Sequence, residues 1–99
     1  MTRISIYTEI EYGEQEFEGW FDLDAATNIG SFAKGDPYKY GCILMSTASG
    51  KLIVNEWNNS GMNIYRFAED EAEIAEILSE GGYDDGKKQF NDILKKYEL

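Results

Sequence analysis

Histidine is absent, cysteine and proline occur once each, and basic residues are scarce. Each shortage excludes something. Without histidine no Ser-His-Asp or Cys-His nucleophile can be built. With Cys42 as the only thiol, the usual zinc sites cannot be assembled either. A lone cysteine forms no intrachain disulfide, which implies a reducing compartment. Cys42 reads as a small core residue beside Ile43 and Leu44, with no base within two positions to lower its pKa. Long apolar runs are also missing. Cys42–Met45 and Leu52–Val54 fall far short of a membrane span. The chain runs from Met1-Thr2-Arg3-Ile4 straight into an alternating pattern, with no apolar signal region, so a cytoplasmic protein is expected.

Glycine motifs for dinucleotides or the P-loop are lacking. Asp22, Asp24 and the 69–85 segment supply hard oxygen ligands, but Asp84-Asp85-Gly86 is too short a fragment of a calcium loop. No cofactor or metal is therefore expected. Carboxylates remain as possible acid/base pairs, yet so small a chain leaves little room for a substrate cleft around them. The expectation is a protein that is not an enzyme.

What is present is acid. Nineteen Asp and Glu oppose nine Lys and Arg over 99 residues, a net charge of −10. That balance argues against direct contact with nucleic acid or an anionic membrane, both of which need cations. A 42% hydrophobic and 14% aromatic composition is too rich in core-formers for a disordered tail. The length fits one domain, residues 1–99.

Residues 3–12 alternate, with Ile4, Ile6, Thr8, Ile10 and Tyr12 on one face, which predicts a half-buried strand. A turn at Gly13-Glu14 leads to a second strand over 15–23, with Phe17, Gly19, Phe21 and Leu23 inward. In that register Glu9 faces Glu18, Glu11 faces Glu16, and Tyr7 faces Trp20. Asp24 is placed to cap a helix over Ala25–Ala33, ended by Gly35-Asp36-Pro37. Strands follow at 38–47, 51–57 and 63–67, the first two joined by Ala48-Ser49-Gly50. Trp57 is expected to cover the sheet edge. Helical period then takes over at Glu69–Ser79, where Ile74, Ala75, Ile77 and Leu78 form a stripe. It recurs at Asp85–Tyr97, through Phe90, Ile93, Leu94 and Tyr97. The order ββα-βββ-αα predicts an α+β domain: a twisted antiparallel sheet of about five strands with two or three helices on one face.

The acids are unevenly placed. Residues 1–33 hold seven against one base, 69–85 hold eight against none, and the last fourteen hold two against four lysines. The predicted register sets Glu9, Glu11, Glu16 and Glu18 side by side on the outer face, where like charges destabilise a sheet. Tyr7 and Trp20 share that face and suit an interface anchor. Glu69, Glu73, Glu76 and Glu80 step along one helical face, about 5–6 Å apart. Phosphates along a nucleic-acid strand have similar spacing. Rows of carboxylates can thus occupy a cationic groove.

The stretch Thr47 to Asn58, with its Gly50-Lys51, apolar strand and Trp57-Asn58, then Tyr65, an acidic helix and Gly82-Tyr83-Asp84, resembles small proteins of phages and mobile elements. Those carry a tryptophan in the helix where this chain has Ile77. In size and charge the chain is similar in character to phage anti-defence inhibitors, including anti-CRISPR and antirestriction proteins. The resemblance implies an acidic inhibitor, acting in a host cytoplasm, whose partner is a cationic nucleic-acid-binding protein such as a nuclease or defence complex. An immunity or antitoxin protein for a nuclease toxin, and a non-catalytic homodimeric binding module, fit the same charge.

Overall fold

A computed structural model describes the whole chain, Met1–Leu99. Its elements are β1 (Arg3–Glu11), β2 (Glu14–Asp22), β3 (Thr27–Lys34), β4 (Tyr40–Ser46), β5 (Leu52–Asn58), β6 (Asn63–Phe67), α1 (Glu71–Gly81), α2 (Asp84–Gln89) and α3 (Asn91–Lys96). The α+β class holds, but six strands form two antiparallel sheets. β1 and β2 make a separate hairpin, and β3-β4-β5-β6 lie in sequence order in the second sheet.

The predicted helix at Ala25–Ala33 is wrong. Only a single 3-10 turn, Leu23–Ala25, follows β2, and Asp22 rather than Asp24 caps it by accepting the Asp24 N–H at 3.1 Å. Thr27–Lys34 is strand β3, paired with β4 from Thr27↔Ser46 to Lys34↔Tyr40. Thr27, Ile29 and Phe32 favour a pleated surface, and Gly30 weakens a helix interior. Cross-strand pairing supplied by distant residues decides the segment.

Alternation sorts the four-stranded sheet into two buried faces. Leu44 pairs with Val54 on the helix side. With Ile29 they close a core against Ile74, Ile77 and Leu78 of α1, all six nearly inaccessible. Met45 and Ile53 point the other way and pack with Ile6 and Phe21 of the hairpin, assisted by Tyr65 and Phe67. The architecture is therefore three layers: helices, sheet, hairpin. The prediction of helices on one face holds, and the hairpin covers the other. On β6, Ile64 and Arg66 take one face and Tyr65 and Phe67 the other, since Arg66 pairs with Val54 and Phe67 with Ile53.

Helix α1 begins at a cap. Asp70 accepts the Ala72 N–H at 2.9 Å, and Glu71 and Glu73 occupy the first turn, where they suit the helix dipole. Its C-terminal end reaches β3 so closely that a Cβ on Gly81 would lie 1.7 Å from the Ser31 carbonyl oxygen. Only glycine permits that approach. The predicted terminal helix Asp85–Tyr97 is two short helices that meet at Phe90, whose φ of −113° and ψ of 28° leave the helical region. Trp57 lies not over the sheet edge but against Gly41 on neighbouring β4, where a Cβ would meet its ring at 2.7 Å. No helix is long and apolar enough to cross a membrane.

Cys42 is half-buried in β4. Burial pushes its thiol pKa up, and Glu56 and Glu73 push it the same way. The thiolate is the reactive form, so alkylation near neutral pH should run slower than for an exposed cysteine and accelerate as pH rises. Timed iodoacetamide labelling checks this; a rate matching a free peptide thiol would mean that the side chain is not packed on the sheet.

Candidate functional site: an acidic hairpin and cleft

The hairpin is clamped at its base and free at its tip. Thr2 donates its N–H to Asp22 at 3.1 Å, and Leu23 donates to the Thr2 carbonyl at 2.8 Å. Ile6 and Phe21 are buried at 2% and 7% exposure, worth about 1.5–3 kcal/mol each. An isolated two-stranded hairpin is marginal in water, so these anchors hold it. Beyond them every residue from Tyr7 to Glu18 is exposed. At the strand rise, Tyr7 to Glu11 extends roughly 15 Å.

The turn differs from expectation, and the register with it. Tyr12 and Gly13 are the central residues, both with positive φ (25° and 85°), as tight hairpins require. The predicted turn at Gly13-Glu14 is displaced by one residue. Glu11 faces Glu14, Glu9 faces Gln15, Thr8 faces Glu16, and Tyr7 faces Phe17. Trp20 faces Ser5 instead of Tyr7. Register breaks occur at Ile10 and Glu18. The second turns Phe17 away from the face of Phe21 and onto that of Tyr7, the kind of re-aiming a β-bulge performs.

The predicted row of Glu9, Glu11, Glu16 and Glu18 on one face is thus overturned. Glu9 shares the outer face with Tyr7 and Phe17, while Glu11, Glu14 and Glu16 share the opposite one. Glu18 sits in the bulge. The hairpin is acidic all round. None of its five glutamates has a basic group within 4 Å. Two carboxylates about 5 Å apart in water repel by under about 1 kcal/mol, so the hairpin tolerates them but nothing in the chain neutralises them.

The second acidic segment behaves differently. Glu69 precedes α1 and is not part of a helical row. Glu73 and Glu56 clasp Arg66, whose Nη1 donates to Glu73 at 3.0 Å and whose Nη2 donates to Glu56 at 2.7 Å. Glu80 pairs with Lys34 at 2.9 Å, and Glu71 with Lys96 at 2.8 Å. Of the predicted row Glu69, Glu73, Glu76 and Glu80, only Glu69 and Glu76 remain unpaired. The partners come from distant strands and the C-terminal helix, so the sequence row was not the free surface it resembled.

Hydrogen bonding to Glu73, with a further contribution from Glu56, holds the Arg66 pKa above its ordinary value. Its stabilisation is complete below the ordinary arginine range and is lost only as pH rises beyond it, so this cluster is insensitive to pH on the basic side. Arg66→Met leaves two half-buried carboxylates facing each other. It should cost about 1–3 kcal/mol, and adding Glu73→Gln should recover part of that. Urea denaturation checks both; an unchanged midpoint would deny the clasp.

The two acidic segments meet in one place. Tyr7, Thr8 and Glu9 of β1 form one wall of a cleft of about 380 Å³, and Arg66, Phe67, Glu69, Asp70 and Glu73 form the other. Four carboxylates line it, and its only cation is already engaged. No three carboxylate or thiol side chains converge closely enough to share a metal ion. The cleft presents spread negative charge beside an aromatic ring. The sequence places Tyr7 and Glu9 in one patch and Glu69 and Glu73 in another; the fold brings these four to a single cleft. Sequence reasoning missed Asp70, Arg66 and Phe17, of which only Asp70 carried a local signal, as an N-cap before Glu71-Ala72-Glu73.

Glu18 and Trp20 line a separate recess of about 230 Å³ with Thr47, Ser49 and Lys51. Glu76 lies at a shallow groove between α1 and α3. Comparison with protein-family models, with curated proteins and with solved structures finds no match to this chain.

Proposed function

We propose that this chain is an acidic protein inhibitor, of the phage anti-defence kind, that binds the cationic nucleic-acid groove of a nuclease or defence complex and blocks it sterically. One observation supports this most. Five hairpin glutamates project from the body with no internal cation, while the helix acids Glu71, Glu73 and Glu80 are paired within the fold. An anchored arm of unneutralised carboxylates suits insertion into a basic channel, with Glu9, Glu69 and Asp70 at its root. Steering by such charge speeds encounter and weakens as salt rises. The role is binding; no catalytic residue or cofactor is assigned.

Affinity capture from a host lysate at low salt, followed by salt elution, tests the proposal. Release of one basic nuclease or helicase supports it. Recovery of partners that bind no nucleic acid, or partners unaffected by salt, contradicts it.

A further inference from the structure

We infer that the Tyr7–Phe17 face of the hairpin is a seat for a partner's arginine guanidinium, with Glu9 as its counter-ion; this rests on the proposed reading of the chain as a binder of a cationic protein. The register places four cross-strand pairs on one face: Arg3↔Asp22, Ser5↔Trp20, Tyr7↔Phe17 and Glu9↔Gln15. At the base of this ladder the chain fills the ring part of such a seat itself, while the Asp22 carboxylate accepts the Thr2 and Asp24 N–H groups. The Arg3 guanidinium lies 4.7 Å from the Trp20 ring centre, and Asp22 stands two residues beyond Trp20.

One step further out the pattern recurs without a cation. The Tyr7 and Phe17 rings meet edge-to-face at 5.7 Å and are 51% and 55% exposed, and Glu9 stands two residues beyond Tyr7. The other ring–cation contact in the molecule, Lys34 over Phe32, lies on the second sheet. The bulge at Glu18 is what brings Phe17 to this face.

Chemistry selects the occupant. A second copy of the chain would set like-charged hairpins against each other. Nucleic-acid bases could stack on the rings, but their phosphates would meet the surrounding glutamates. A lysine ammonium matches the charge yet stays strongly hydrated and does not stack. A planar guanidinium satisfies ring and carboxylate together.

Calorimetric titration of the full chain with a peptide of four Arg-Gly repeats, against one of four Lys-Gly repeats at equal salt, tests the seat. The arginine peptide should bind about tenfold more tightly. Its binding should shift the Tyr7 and Phe17 ring resonances, and the preference should vanish in the Tyr7→Leu/Phe17→Leu double variant. Equal affinities, or a preference that survives in a folded double variant, overturn the seat and leave the charge-based reading standing. Failure of both peptides to bind at low salt overturns the acidic binding face as well. The wild-type comparison decides even if the double variant does not fold.

Discussion

Lysine in place of Glu9, Glu11, Glu16 and Glu18 should weaken binding to the cationic partner by roughly a hundredfold or more while the domain stays folded. Each substitution adds two charges, so the net charge moves from −10 to −2. The expected loss is large because attraction at the arm becomes repulsion at the same positions, whereas removal of one rim charge mainly slows association. Folding is spared because all four side chains are exposed and without ion-pair partners. Glu11→Lys also converts the Glu11↔Glu14 repulsion into attraction, a gain of a few tenths of a kcal/mol. Thermal melts should therefore agree within about 1 kcal/mol while affinity collapses. If the variant binds as before, the hairpin is not the contact surface. If it unfolds, the tip carries structural weight that its exposure denies.

The largest effect on stability belongs to the other side of the sheet. Leu78 is fully inaccessible and packs with Ile77 of its own helix, Leu44 and Val54. Leu78→Ala removes buried methyl groups and leaves a void that the sheet cannot collapse into. The cost should be about 2–5 kcal/mol. Against a total of about 5–15 kcal/mol for a domain of this kind, the melting temperature should fall by roughly 10 °C or more. Ile10→Ala serves as the control: at 59% exposure on the hairpin tip it should change stability by less than about 0.5 kcal/mol. Equal effects at the two sites would mean that the helix–sheet core is not what holds the fold.

Local chemistry carried part of this architecture and not the rest. β4 and β5 hold short apolar runs bounded by turn residues, and α1 has a buried stripe at helical spacing, so these elements, with β6, were legible from their own residues. β3 was not, because Asp24-Ala25-Ala26 imitates a capped helix start while the deciding partner, β4, lies beyond a turn. The hairpin itself was legible, but its register was not. No Asn-Gly pair fixes the turn, and moving it to Tyr12-Gly13 together with two bulges changes which face each glutamate occupies. The acidic row on α1 failed for a similar reason. Arg66, Lys34 and Lys96 neutralise Glu73, Glu80 and Glu71 through contacts that only the folded chain creates. Charge in sequence marks where acids cluster; pairing in three dimensions separates the free carboxylates from the structural ones. That separation points to the hairpin and the cleft at its root.

The most direct measurement is the association rate of wild-type chain and the four-lysine variant with the captured nucleic-acid-binding protein, across ionic strength and in the presence of competing duplex DNA. The account predicts a wild-type rate that falls steeply with salt, DNA that competes for the same surface, and a variant that does not associate. A rate insensitive to salt, together with simultaneous binding of DNA and this chain, would contradict it.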